Sequence, residues 1–244
     1  MNYLQKLFSL EGKTALVTGA SRGNGKAIAT ALGKAGAELI IIDVDENIFS
    51  ARDEFTSLGI ECTAYTCDFL SSEQLDKLLE KISKNHKVID VLVNNAGVTF
   101  GGDTLSYSNE LWDKTYKVNL LAPYKICKSV GSNMVENEKG SIINITSLNA
   151  EQAFPDNPAY VSFKGALKQL TKSLALDLGK HGVRCNNIGP GYIRTNMTKG
   201  SWEDEEKRAD RCNNTVLGRW GTPDDLSGVA IFLASDASDY VTGQ

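Results

Sequence analysis

The sequence predicts an α/β fold: a doubly wound parallel sheet with helices on both faces, built as one three-layered domain over residues 1–244. Three observations carry that prediction. Strand-like runs recur along the chain at Leu16-Val17-Thr18, Ala37 to Asp43, Glu61 to Cys67, Asp90 to Val93, Ser141 to Thr146 and Arg184 to Ile188. Several of them are apolar throughout, as strands buried on both faces must be. Helical patterns lie between them, and strand–helix alternation of this kind builds parallel sheets through right-handed crossovers. Finally, the first strand enters Gly19-Ala20-Ser21-Arg22-Gly23-Asn24-Gly25, after which Ala27, Ile28, Ala31 and Leu32 recur at helical spacing. A chain of 244 residues, 41% hydrophobic and 23% charged, suits one large domain and is short for two.

Glycines in the first turn let the backbone approach a pyrophosphate, and the helix that follows offers free N–H groups and a positive dipole end to hold it. An ATP-type phosphate loop fits badly, because Ala27 follows Gly25-Lys26 and Ala20 stands where its first glycine belongs. Asp43 closes the second strand about 20 residues beyond the turn, where a carboxylate accepts hydrogen bonds from an adenosine ribose and repels the extra phosphate of NADP. That predicts NAD as the preferred cofactor. A helix from Asn47 to Leu58 and the third strand follow, then Asp68, whose simplest role is a helix or turn cap. Ser71-Ser72-Glu73-Gln74 resembles a capping box opening a helix to about Lys84. The fourth strand runs into Asn94-Asn95-Ala96-Gly97, whose small residues let backbone lie against a cofactor while Asn94 braces the sheet. Two helical patterns come next, Ser108 through Asn119 and Leu121 to Glu136.

The stretch from Ser147 to Lys164 carries the chemistry. Tyr160 and Lys164 stand at i and i+4, and Phe163, Ala166, Leu167, Leu170, Leu174 and Leu178 recur at helical spacing, so the pair shares one helix face. A free tyrosine titrates near ~10, and a neighbouring cation favours the phenolate and lowers that value. Tyr160 would then exchange a proton with an alcohol or carbonyl. Ser147 ends a strand-like run, where its hydroxyl would bond the same substrate oxygen. Alone, Tyr-x-x-x-Lys equally suits a solvated pair on a surface helix. Further on, Gly189-Pro190-Gly191 leaves the sixth strand, and residues 191–215, with Trp202 among acidic residues, form a candidate lid over substrate. Thr222-Pro223-Asp224-Asp225 starts a helix, with Thr as cap and acids at the positive dipole end.

Taken as an ordered set, Thr18-Gly19-x-x-x-Gly23-x-Gly25, Asn94-Asn95-Ala96-Gly97, Asn119, Ser147, Tyr160-x-x-x-Lys164 and Pro190-Gly191 give the chain a resemblance to the short-chain dehydrogenase/reductase family over nearly its whole length. The resemblance implies a Rossmann-type fold and NAD(P)-dependent hydride transfer between a secondary alcohol and a ketone. It makes Tyr160 the catalytic acid/base, Ser147 the substrate-oxygen positioner, Lys164 the group that binds the nicotinamide ribose and tunes Tyr160, and Asn119 the holder of a water in the proton relay. Implied cofactor contacts are Gly19, Ser21, Arg22, Gly23, Asn24 and Gly25 in the turn, then Asp43, then Asp68 at the adenine ring. Asn95, Ala96 and Gly97 follow, with Tyr160 and Lys164, and Pro190, Gly191, Ile193 and Thr195 lie on the nicotinamide side. Arg22 occupies a position where NADP-using relatives often carry a basic residue, which opposes Asp43; a long arginine can swing away where a strand-end carboxylate cannot. Asn24 departs from the family's aliphatic residue. The family also continues past Tyr240-Val241-Thr242-Gly243-Gln244 into a last strand, so the natural chain is expected to be longer; without that strand, its neighbour's edge would be exposed. A homotetramer or homodimer is implied, packed through the helix starting near Leu111 and the one carrying Tyr160.

Residues 218–221 and 232–241 resemble the branch that includes gluconate and deoxygluconate dehydrogenases, which points to a sugar acid or polyol as the small-molecule substrate. Glu151, Gln152, Asp156 and Asn157 would bond its hydroxyls. The rival is a 3-oxoacyl-carrier-protein reductase, which would want basic residues where Met134 to Lys139 is mostly acidic or neutral. A non-catalytic NAD-binding sensor or scaffold is a further alternative, opposed by the presence of Ser147, Tyr160 and Lys164 together. A formal net charge of −4 offers no basic stripe for nucleic acid or an anionic membrane, and no apolar run approaches the ~18 residues a spanning helix needs. Five scattered cysteines and two isolated histidines suggest reduced thiols and no metal site. A cytoplasmic protein is the expectation.

Overall fold

The computed structural model describes residues 2–244. Six parallel strands form one sheet: β1 (Thr14–Thr18), β2 (Glu38–Asp43), β3 (Cys62–Thr66), β4 (Val91–Asn94), β5 (Gly140–Ile145) and β6 (Val183–Ile188), in the order β3-β2-β1-β4-β5-β6. Every predicted strand is present, shifted by a residue or two at its ends. Side chains alternate across the sheet: Val17, Ile41, Val93 and Ile143 point into one apolar layer, and Leu16, Ile40, Leu92 and Ile142 into the other. Both faces are buried, which is why these strands are apolar at consecutive positions.

Helices α1 (Gly23–Lys34) and α2 (Asn47–Ser57) cover the first layer, and α3 (Ser72–Asn85) covers the second. The Ser71 hydroxyl caps α3 by accepting from the Gln74 N–H at 3.3 Å, but the expected reciprocal bond does not form. Gln74 instead accepts from the Asp68 N–H at 3.4 Å, since its side chain reaches the preceding turn. The two helical patterns predicted between Ser108 and Glu136 also differ from expectation. They form one continuous rod, α4 (Asn109–Tyr116), a π-helical turn (Lys117–Leu121) and α5 (Ala122–Glu136). The interruption is a wide turn rather than a break, and Pro123 explains its place: in an α-helix the Asn119 carbonyl would accept from residue 123, which has no N–H.

The long helix α6 (Pro158–Leu178) carries Tyr160 and Lys164, with proline in its first turn. Asn94 braces the sheet, donating to Asn144 Oδ1 at 2.8 Å across the β4–β5 register pair. Asn144 passes the bond to Thr171 of α6 at 2.8 Å, and Thr171 to Asn187 of β6 at 2.7 Å, so α6 is locked to the sheet by a buried polar chain as well as by packing. After β6 the chain forms α7 (Glu205–Asn213) and α8 (Ser227–Ala234). The last residues lie along the outer edge of β6: Gly243 N–H donates to the Cys185 carbonyl at 2.8 Å and Asn187 N–H to the Gln244 carbonyl at 2.7 Å. Edge groups of β6 are thereby paired. No helix among the described residues is long and apolar enough to cross a membrane.

Candidate active site

The strand order reverses direction between β1 and β4, and a cavity of about 770 Å³ opens beyond the carboxyl ends of the strands there. Its first wall is the glycine turn. Gly19 and Gly23 have φ of +67° and +56°, a region closed to most side chains. A Cβ on Gly25 would collide with the Gly19 carbonyl and the Asn95 amide, so helix α1 can sit hard against the turn only with glycine there. Asn95 secures the same turn, donating to the Thr18 and Gly19 carbonyls at 2.9 and 3.1 Å, while Thr18 Oγ1 accepts from the N–H groups of Asn95 and Ala96. Arg22 precedes α1 without a side-chain cap, which leaves first-turn N–H groups of α1 without a side-chain acceptor. Asn24 lines the cavity, and its Oδ1 is buried without a partner. Uncapped donors in a glycine cradle suit a dinucleotide's pyrophosphate, whereas the Asn24 oxygen would need a donor such as a ribose hydroxyl.

Asp43 lies at the end of β2 on the cavity wall, held by three donors: Ser21 N–H at 3.0 Å, Ser21 Oγ at 2.7 Å and Asp45 N–H at 3.1 Å. Arg22 is engaged by a neighbouring surface carboxylate. Its guanidinium pairs with Asp45 at 2.6 Å. The Asn47 backbone N–H and Arg22 together hold the Asp45 carboxyl below the usual carboxylate range. Asp68, Ala96, Gly97, Pro190, Gly191, Ile193 and Thr195 line the cavity as well. Ser21, Gly25 and Asn119 do not line it. The first two shape the turn from behind, and Asn119 is fully buried in the π-helical turn, its amide accepting from Val98 N–H and donating to the Val98 carbonyl, both at 2.8 Å.

Ser147, Tyr160 and Lys164 meet at the cavity floor. Lys164 is 4% exposed; its ammonium donates to the Ile145 carbonyl at 2.7 Å and lies 5.7 Å from the centre of the Tyr160 ring. The expected lowering of the phenol by Lys164 is not what dominates. Burial pushes the Tyr160 phenol above its ordinary value, and the Ser147 hydroxyl offsets part of that rise. Burial likewise pulls the Lys164 ammonium down from 10.5 to about 8. Both shifts follow from removing charge from water. The Lys164 shift makes stability depend on pH: between about 8 and about 10.5 the unfolded chain still holds a proton that the folded protein has released, so folding gains as pH rises through that window. Urea titrations of the protein and of Lys164→Met across it should show the wild type gaining on the variant, at up to about 1.4 kcal/mol per pH unit. Parallel curves would show that Lys164 titrates normally.

Of the four polar residues expected to meet substrate, Asp156 and Asn157 line the cavity, whereas Glu151 and Gln152 do not. Glu151 pairs with Lys168 of α6 at 2.5 Å, which turns it onto the helix. Sequence reasoning missed Val98, Phe154, Tyr192, Met197 and Arg211, which also line the cavity. Val98 directly follows Asn94-Asn95-Ala96-Gly97, Tyr192 follows Pro190-Gly191, and Tyr192, Met197 and Arg211 fall inside the candidate lid, so the sequence marked these neighbourhoods without singling out the side chains.

Comparison with known proteins extends this geometry. A family model described as enoyl-(acyl carrier protein) reductase matches residues 19–244. The chain belongs to the short-chain dehydrogenase/reductase family. It is 38% identical over 241 residues to a 5-keto-D-gluconate 5-reductase of Escherichia coli, covering 98% of this chain and 95% of the relative. It is 40% identical over 238 residues to a 2-dehydro-3-deoxy-D-gluconate 5-dehydrogenase of Pseudoalteromonas atlantica, covering 97% and 94%. Among solved structures, a gluconate 5-dehydrogenase of Burkholderia cenocepacia in complex with NADP and tartrate superposes with a TM-score of 0.95 at 33% identity, covering 99% of this chain and 95% of that one. This member of the family is therefore an NAD(P)-dependent oxidoreductase with a Rossmann-type fold.

Proposed function

We propose that the protein interconverts a hydroxyl and a keto group on a sugar acid, with NAD as the preferred cofactor. The observation that carries the reaction class is the convergence of Ser147, Tyr160 and Lys164 on the floor of a cavity whose far wall is the uncapped glycine turn. The sugar-acid reading rests on the relatives at 38% and 40% identity, both named for keto-gluconate chemistry. They lend less support to the 3-oxoacyl-carrier-protein alternative, and the intact trio argues against a sensor without turnover.

A bound nicotinamide supplies the acceptor or donor of the hydride. The protein supplies the proton path. Ser147 Oγ donates to the substrate oxygen and orients it. With its phenol raised by burial, Tyr160 holds its proton at neutral pH, the form that delivers a proton to a ketone oxygen as hydride reaches the carbon. In the reverse direction Tyr160 must first lose that proton, so alcohol oxidation gains as pH rises. The Lys164 ammonium holds the ribose hydroxyls and stabilises the phenolate. Asn119's amide is spent on Val98, so its main-chain carbonyl, whose ordinary i+4 donor Pro123 lacks, is the atom that would hold a relay water. Asp43 takes the adenosine ribose hydroxyls, and Asp68 the adenine ring. Residues 191–215 close over the substrate. Five free cysteines suit the reducing cytoplasm. The partly exposed Trp112 and Tyr116 of α4 and the exposed Leu176 of α6 suit a homotetramer or homodimer packed through α4 and α6.

Absorbance of reduced nicotinamide, followed with NAD⁺ or NADP⁺ and a panel of sugar acids and polyols, and with NADH or NADPH and a 3-oxoacyl thioester, tests this reading. Turnover of a sugar acid with NAD⁺ is the expected result. Exclusive reduction of the thioester with NADPH would overturn both substrate and cofactor.

A further inference from the structure

Four cationic side chains line the cavity: Arg22, Lys114, Lys164 and Arg211. Arg22 is neutralised by Asp45 and Lys114 by Glu110, each at 2.6 Å, and Lys164 is committed to the floor. Arg211 alone has neither a carboxylate within 4.0 Å nor a side-chain hydrogen bond among the described residues. It is held by rings instead, its guanidinium 5.3 Å from the centre of Tyr192 and 5.6 Å from that of Trp220. Cation–π contacts of this kind anchor the guanidinium without using its N–H groups, which stay available to fork onto a carboxylate.

Its place in the cavity is equally informative. Tyr192 packs edge-to-face on Phe154 at 6.4 Å, and Phe154 belongs to the loop between Ser147 and Tyr160. Through Tyr192, Arg211 is thus linked to the loop that joins Ser147 to Tyr160. The neighbouring Arg194 and Arg208 stack on Trp202 at 4.0 and 5.5 Å but do not line the cavity, so they serve the packing of the lid. Asp156 is the acidic group on this wall, which would repel an anionic substrate unless a cation faced it.

We propose that Arg211 binds the carboxylate of the substrate and thereby selects acids over neutral polyols and sets which hydroxyl reaches Tyr160. This rests on the sugar-acid reading above. The test uses Arg211→Met, which keeps an apolar stem against Tyr192 and Trp220, and Arg211→Lys, which keeps the charge without the fork. KM and kcat are measured with gluconate and with its uncharged counterpart sorbitol at saturating cofactor, together with inhibition by tartrate. Arg211→Met is expected to raise KM for gluconate about 30- to 100-fold, with kcat changed less than about threefold. Tartrate inhibition should weaken in parallel, sorbitol kinetics should stay within about threefold, and Arg211→Lys should recover part of the loss. Equal losses on gluconate and sorbitol would mean that Arg211 only packs the lid, and would overturn the proposal, as would no change on either. Should the wild type oxidise only neutral polyols, the sugar-acid reading fails; weakened tartrate inhibition in Arg211→Met would still establish the carboxylate site, and unchanged inhibition would sink it too.

Discussion

Tyr160→Phe should lower kcat by about 10³-fold while leaving cofactor affinity within a few-fold, because the ring stays and only the transferable proton is lost. The size follows from the role: a positioned acid or base contributes roughly 10²- to 10⁴-fold, and no other titratable group on the cavity floor can replace this one. The Ser147 hydroxyl is too weak an acid to give up its proton at neutral pH, and the Lys164 ammonium is bonded to the Ile145 carbonyl. Burial raises the phenol, so the two directions of reaction should also separate with pH. Ketone reduction uses the protonated form already present, whereas oxidation should climb as the pH approaches the phenol's value. A stopped-flow measurement of hydride transfer in each direction checks both parts. Undiminished transfer in Tyr160→Phe would assign the proton to another group.

What the sequence made legible follows from what its patterns measure. Buried parallel strands are apolar on both faces, which marked the central strands, the strand–helix alternation placed the half-buried β3 and the more polar β6, and the glycine turn announced itself because Gly25 has no room for a Cβ beside the Gly19 carbonyl. The i, i+4 spacing of Tyr160 and Lys164 placed them on one face, but spacing carries no information on burial, and burial is what moves both groups. The two helical patterns ending at Asn119 and starting at Leu121 read as two helices; the wide turn that keeps the rod continuous left no periodic mark in the sequence, and the bond from Val98 N–H to Asn119 is made across the fold. Arg211 was invisible for the same reason. Its partners Tyr192 and Trp220 come from two other segments, and a charged run in a sequence looks the same whether it is solvated or folded onto rings.

Cofactor choice should shift by about 10²-fold in the ratio of kcat/KM for NADP⁺ to that for NAD⁺ in Asp43→Ser, the second large effect expected. A carboxylate at the end of β2 accepts from ribose hydroxyls but faces a 2′-phosphate as a like charge, and like charges in such contact cost several kcal/mol. Three donors from Ser21 and Asp45 fix the Asp43 carboxylate, so it cannot rotate away to admit the phosphate. Arg22 is the cavity-wall cation that a 2′-phosphate would recruit, yet Asp45 already holds its guanidinium at 2.6 Å. Because that pair is exposed, its hold is weak, and a phosphate would compete for Arg22 once the Asp43 charge is gone. Asp43→Ser combined with Asp45→Ala should therefore favour NADP⁺ more than Asp43→Ser alone, and adding Arg22→Ala should erase that extra gain. If the unaltered protein instead prefers NADP⁺ and loses that preference with Arg22→Ala, the Arg22–Asp45 pair must open on binding, and the guanidinium rather than the strand-end carboxylate selects the cofactor.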